Sequence, residues 1–520
     1  MSRRKKEGDV LRTRKSVLNT IVAFASQVII ILLGFISRRV LIYSVGVQYL
    51  GINGLMTNIL TIFSLAESGI GVAIGYSLYK PLAEKDTEKI KSLMKFYKRT
   101  YQFLAVLTAV IGLLFYPFLP IFLKGNTAPD VTAIYFLFLF SSVASYLWSY
   151  KVTLNSSDQN KYLYTIANTV TQIGVLIIKV FILYFTENYI LYLTIDIGST
   201  LIKNVIFSAI LDKKYPYLRD KDIRKLDIET KRKLFINIKS LFFGKFGYII
   251  SQCSDNLVIS SLVSINAVGM YSNYTTLITS ISGFVSTFSS GVTASVGNLI
   301  ASESKEKSYI VYKRIDFINF WLYTFSGIGL FCLMEPFIKI WLGKEYILSF
   351  GILIFAVVTY YLRGINSGID IVKSASGLFY PDRYVPIIEA VINLILSLVL
   401  AMKYGLIGVL AGTLISFLLC SFWIKPYFVY REVFDMAFKK YIMWEGEKIV
   451  TSIVITIITY YLQSFVRLEN IVLELILKAV LITVFANGML ILRYFRTEEF
   501  AYIKEMMISV LKKLKFIKKY

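Results

Sequence analysis

Long apolar runs separated by short polar breaks dominate the chain. Runs of spanning length cover about residues 17–42, 49–79, 101–123, 131–153, 162–185 and 189–211. After a polar stretch they resume at about 240–263, 267–300, 315–342, 347–371, 384–402, 405–428, 447–466 and 471–492. A membrane-crossing helix needs about 20 mostly apolar residues, so this pattern predicts about fourteen spans. The expected class is all-α, a polytopic membrane protein. Nothing alternates at period two over the roughly ten residues of a barrel strand, so a transmembrane β-barrel does not fit.

The longest polar stretch, 212–239, divides twelve of these runs into six and six, giving expected bundles over 17–211 and 240–430. An internal echo supports the division. VGVQYLGINGL precedes a long helix ending GVAIGYSLYKPLAEKDTEKIK, and INAVGMYSNYT precedes one ending GVTASVGNLIASESKEKS. Gly51 aligns with Gly269, Gly71 with Gly291, and Asn160-Lys161-Tyr162 with Asp382-Arg383-Tyr384, at offsets of 218, 220 and 222 residues. An even number of spans per half makes the halves parallel repeats, related by an axis along the membrane normal. Two further helices within 431–492 have no counterpart, and basic segments over 1–16 and 493–520 flank the whole.

Charge then orients the chain. Lys and Arg number 57 against 33 Asp and Glu, a net charge of +24, and they concentrate in loops of one parity. The second loop carries Lys80, Lys85, Lys89, Lys91, Lys95, Lys98 and Arg99, and the sixth is more basic still. The opposite loops hold only Lys124, Lys344, Lys403 and Arg467. By the positive-inside rule both termini are expected in the cytoplasm. Interleaved this way, the positive charge suits anionic lipid head groups, not nucleic acid.

Composition removes most chemistry. With no His, general acid–base work by imidazole, Ser-His-Asp nucleophiles and His-ligated metals are excluded. Cys253, Cys332 and Cys420 are isolated in apolar runs and read as small core residues. There is no G-x-x-x-x-G-K-[ST] loop and no soluble segment long enough for a catalytic domain. No enzyme activity, cofactor or metal is expected. Two parallel bundles with a seam between them suit an alternating-access transporter.

VGVQYLGINGLMTNILTIFSLAESGIGVAIGYSLYKPLAEKDTEKIKSL resembles the opening of the polysaccharide-export branch of the multidrug/oligosaccharidyl-lipid/polysaccharide (MOP) exporter superfamily. SDNLVISSLVSINAVGMYSNY, TASVGNLIASES and SGIDIVKSASGLFYPDRYVPIIEAVINLILSLVLAMKYGLIGVLAGTLIS share the resemblance, which covers about residues 17–430. It implies the 14-helix MOP flippase fold. It also implies flipping of undecaprenyl-pyrophosphate-linked repeat units, for O-antigen or capsule, across the bacterial cytoplasmic membrane. Glycosyltransferases and a glycan polymerase of the same pathway are the implied partners.

A charge at the bilayer centre costs about 2.5–3.5 kcal/mol on insertion scales, so deep charges mark cavities or ion pairs. The deepest are Glu67, Lys203, Lys245, Asp255 and Arg363. Lys245, Tyr248, Gln252 and Asp255 stripe one face of the seventh span, with Asn256 adjoining, and Arg363, Asn366, Asp370 and Lys373 repeat that spacing in the tenth. One reading makes these a cavity for pyrophosphate and sugars, in which Arg offers a planar fork and Lys a point charge. The other makes them interhelical ion pairs, for instance Glu67 with Lys203. Arg38 and Arg39 either snorkel to the outer head groups or receive the pyrophosphate there. Lys151 and Lys373 occupy matching places near the cytoplasmic face, as head-group contacts or interface anchors. Glu67 and Asp255 are the candidate ion-coupling carboxylates, and Trp148, Tyr271 and Tyr274 the sugar-stacking candidates. Two rival functions fit the same architecture: a small-molecule drug or cation antiporter, and a membrane-embedded glycan transferase or polymerase.

Overall fold

A computed structural model describes residues 2–64, 67–124, 130–158, 160–220, 223–224, 226–302, 304–378 and 381–505. Among the described residues the chain is helical, with no strand. Ten helices among the described residues are long and apolar enough to cross a membrane. The basic tail beyond residue 505 lies outside the described residues.

The chain forms two compact units, Met1–Ser272 and Asn273–Tyr520. The first contains α1 (Ser2–Val45), α2 (Val47–Phe63), α3 (Glu67–Glu84), α4 (Thr87–Phe115), α5 (Val131–Ser157), α6 (Lys161–Thr186), α7 (Tyr189–Lys214), α8 (Ile228–Val258) and the opening turns of α9 (Ile265–Ser302). Polar breaks set the helix starts. Asp86, Asn188 and Asp227 each accept a hydrogen bond from the backbone N–H three residues on, satisfying a donor that the helix itself leaves unpaired. Asp227 stays ionised to lower pH than an ordinary carboxyl, because the Thr230 side chain and backbone N–H donate to it. Inside the unit, α1 packs on α6, α6 on α7, α4 on α5, and α8 against α2 and α3. Its core is aliphatic with tyrosines, including Ile74, Leu78, Leu93, Tyr97, Tyr101 and Tyr146. The outward faces are apolar as well: Phe103, Val106, Leu113 and Leu114 of α4 are all exposed, as a helix facing lipid requires.

At one crossing α2 and α9 touch backbone to backbone. A Cβ on Gly51 would lie 2.1 Å from the Ile265 carbonyl oxygen, and one on Gly269 would lie 2.3 Å from that of Val47. The contact is reciprocal. Each glycine meets the residue four positions before the other, and both pairs are related by the same offset of 218 residues. Glycine at both positions is what lets the two backbones come this close.

The second unit holds the rest of α9 and α10 (Lys305–Trp341), α11 (Phe350–Ile365), α12 (Ser367–Ser376), α13 (Val385–Tyr404), α14 (Leu406–Leu419), α15 (Ser421–Phe428), α16 (Lys439–Gln463) and α17 (Ile471–Tyr494). α13 and α14 form a tight hairpin: Gly408 and Gly412, spaced as small-xxx-small, leave room for the backbone of Leu400 and Ser397. The terminal pair α16–α17 docks on α10 through an apolar and aromatic core of Phe317, Phe320, Ile455, Ile482 and Tyr494. All three cysteines are buried and free, as small core residues.

Candidate functional site

In the first unit, α1, α6 and α7 line a half-open cavity of about 270 Å³ with mixed polar and apolar walls, Val175 and Leu176 among them. Each helix supplies one face at helical spacing: Ile30, Leu33, Gly34 and Ser37 from α1; Asn168, Thr171, Gln172 and Lys179 from α6; Asp196, Ser199, Thr200 and Lys203 from α7. Positions i, i+3, i+4, i+7 and i+11 lie above one another on a helix, so these sets project inward together.

Two ammonium groups face one carboxylate. Lys179 Nζ donates to Asp196 Oδ1 at 2.7 Å and lies 4.0 Å from the centre of the Tyr192 ring. Lys203 Nζ donates to Asn168 Oδ1 at 2.7 Å and lies 5.4 Å from the Tyr164 ring. The Tyr192 and Ser37 hydroxyls are 3.0 Å apart, tying α7 to α1. The lining thus carries a surplus positive charge, and one lysine is satisfied by an amide. Such a site favours an anionic, hydrogen-bonding guest, because an ammonium gains more from an anion than from an amide oxygen.

Glu67 has a different setting. At the start of α3 its carboxyl receives hydrogen bonds from the hydroxyls of Tyr101 and Tyr146. Tyr97 packs edge-on to Tyr101 at 5.1 Å and donates to the Gly71 carbonyl at 3.0 Å. The pairing of Glu67 with Lys203 expected as one alternative is not formed; Lys203 bonds Asn168 instead. Helical spacing gives depth along one helix and leaves open which neighbour each face meets.

The remaining sequence candidates divide. Arg38 donates to Ser272 Oγ at 2.8 Å, whereas Arg39 is exposed and lies 5.6 Å from the Tyr43 ring on its own helix. Asn256 comes within 3.9 Å of where a Cβ on Gly54 would be, so α8 meets α2 there. Asp255 is on α8 with Tyr271 within electrostatic reach, and Gln252 is exposed on the same helix. The side chains of Lys245, Tyr248 and Gly291 lie outside those described. Lys151 is held by Asp212 and Ser208, at 2.7 and 2.6 Å. In the second unit Arg363 donates to Glu389 Oε1 at 3.1 Å and lies 4.9 Å from the Phe417 ring, and Lys373 pairs with Asp382. For Lys151, Arg363 and Lys373, the structure therefore supplies the ion-pair arrangement. The sequence reading missed Lys179 and Asp196. The signal that could have found them is the matched polar stripes 168–171–172–179 and 196–199–200–203 on consecutive spans.

Residues 16–294, more than half of the chain, match the family described as Polysaccharide biosynthesis protein. No curated protein matches the sequence. Among solved structures, the lipid II flippase MurJ in an inward closed conformation superposes with a TM-score of 0.57 at 16% identity, covering 92% of this chain and 100% of that one. The MATE multidrug transporter DinF-BH gives 0.57 at 16% identity, covering 82% and 97%. The Vibrio cholerae MATE transporter VcmN in its bent form gives 0.52 at 14%, covering 82% and 96%. At these identities the likeness shows the fold alone.

Proposed function

Since the chain belongs to the polysaccharide biosynthesis protein family, we propose that it translocates a lipid-linked oligosaccharide with an anionic head, of the undecaprenyl-pyrophosphate class, across the bacterial cytoplasmic membrane by alternating access. Both termini face the cytoplasm in this reading. The polar head group enters a wet, cation-bearing cavity from the inner leaflet while the polyprenyl tail stays in lipid, and a change of access releases the head outward. A pyrophosphate cannot cross bare hydrocarbon, since even a single side-chain charge costs a few kcal/mol at the bilayer centre. Fixed cations lower that barrier along the path. Glycosyltransferases make the cargo and a polymerase consumes it.

The observation that carries the proposal is the cavity of α1, α6 and α7, with Lys179 and Lys203 set against the single carboxylate of Asp196. Its amides and hydroxyls suit sugar hydroxyls, which need matched donors and acceptors. Lys203 exchanges its amide partner for a phosphate oxygen as cargo arrives. Energy comes from an ion gradient or the membrane potential, with Glu67 and Asp255 as the coupling carboxylates.

The test is export of surface glycan in a strain lacking its own repeat-unit flippase. The wild-type gene should restore export, and the Lys179→Met/Lys203→Met double variant should lower it at least about tenfold at equal membrane abundance, since each lost charge-assisted bond contributes roughly 1.5–3 kcal/mol. Full export by the double variant would remove the cavity from the pathway. A second reading, a cation or drug antiporter, is favoured by Glu67 amid Tyr97, Tyr101 and Tyr146, an acidic and aromatic setting suited to an organic cation. Dye efflux that needs Glu67 and ignores Lys203, in a strain where glycan export is not restored, would establish that reading instead.

A further inference from the structure

The second unit contains a buried charge cluster with one negative charge too many. Lys448 of α16 donates to Asp316 Oδ2 of α10 at 2.5 Å and to Glu445 Oε1 at 2.7 Å. Trp444 Nε1 adds a hydrogen bond to the same Asp316 oxygen at 2.7 Å. The three charged residues expose 0–3% of their side chains. Two carboxylates therefore share one ammonium, out of reach of water.

Their second oxygens are not used. Asp316 Oδ1 and Glu445 Oε2 are buried without a hydrogen-bond partner, and the hydroxyls of Tyr312 and Tyr430 interact with each other. Both tyrosines are buried and lie within electrostatic reach of Asp316 and Glu445. Against Asp316 Oδ1, α12 presents Gly368, whose missing Cβ would stand 3.0 Å away.

No neighbouring cation makes up the deficit among the described residues. Lys313 of α10 lies 4.4 Å from the Trp444 ring but is already bridged to Glu499 at 2.6 Å. Lys425 pairs with Asp370 of α12 at 3.0 Å. Tyr441 of α16, Tyr361 of α11 and Tyr494 of α17 bring neutral hydroxyls.

A buried, uncompensated anion costs several kcal/mol, and the ordinary resolution is to take up a proton. Asp316 is the better-stabilised anion, with two donors against one for Glu445. From this geometry we propose that the Asp316–Lys448–Glu445 cluster is a proton-binding site, with one proton carried on Glu445 Oε2 at neutral pH. The proton comes from water and returns to it when α16 parts from α10, so the docking of the terminal helix pair is linked to proton uptake. The site lies outside the family match at 16–294. It holds for either cargo class and does not rest on the flippase reading.

The test uses the full-length protein in lipid nanodiscs at neutral pH. The infrared spectrum should contain a protonated-carboxyl stretch that is absent from Glu445→Gln and persists in Glu67→Gln. A spectrum unchanged by Glu445→Gln would overturn the proposal. Thermal melting gives a second readout. A carboxyl that keeps its proton when folded and loses it when unfolded, above about pH 4.3, makes the wild type lose melting temperature as pH rises from there. Glu445→Gln should remove that dependence, and equal slopes in the two proteins would overturn the assignment. Exchange of potassium for sodium should leave both melting temperatures alone; a rise confined to the wild type would make this a sodium site and end the proton assignment.

Discussion

Lys203 in the first unit and Lys448 in the second are both lysines within the helical body, yet they are held in opposite ways. Lys203 borders a cavity and has an amide for a partner. Lys448 is 1% exposed and grips two carboxylates. The first can trade its partner for an incoming anion at little cost, because the amide it releases is rehydrated or bonds the guest. The second cannot let go without stranding the buried Asp316 anion and leaving Glu445 without its hydrogen-bond donor. A charge in a membrane protein is thus informative through its partner and its access to open space, more than through its depth.

Substitutions at these sites put that contrast to the test. Lys448→Met, which leaves the buried Asp316 without a countercharge, should lower stability by about 3–5 kcal/mol, seen as loss of the folded peak and a much reduced melting temperature in detergent. A wild-type melting temperature would mean that the ammonium is not what compensates Asp316 and Glu445. Next, Gly51→Val and Gly269→Val should each cost about 1–3 kcal/mol by forcing α2 and α9 apart. Their reciprocal contacts predict near-equal losses, so a large inequality would show that the two contacts are not equivalent. Lys203→Met should change stability by under about 1 kcal/mol, because its partner is a neutral amide, while glycan export falls several-fold; parallel loss of both would recast Lys203 as structural. Lys80→Ala, in an exposed pair with Glu84, should leave melting and export unchanged and serves as the reference for no effect.

The limits of sequence reading lie in the same residues. The spans were legible because burial in lipid demands long apolar runs whatever the neighbours are. Gly51 and Gly269 were legible as an echo but not as a contact, since similarity between two stretches says nothing of whether they touch. Lys203 was legible as deep, but its expected partner Glu67 lies instead among tyrosines. Asp316 and Glu445 went unnoticed because apolar runs at 315–342 and 447–466 put them at membrane edges. The helices run further, from Lys305 and from Lys439, so both acids fall inside packed helical bodies.

By itself the sequence determined the class of the molecule: an all-helical membrane protein, with basic loops of one parity and no imidazole chemistry. Those properties follow from one-dimensional facts, the length of apolar runs, the parity of charged loops and the absence of a residue type. Only the tertiary structure decided which charges meet. Pairing depends on the rotation and spacing of helices that may be a hundred residues apart, set by side-chain packing among many partners. It is this packing that left Lys179 and Lys203 beside open space and closed Lys448 between two acids.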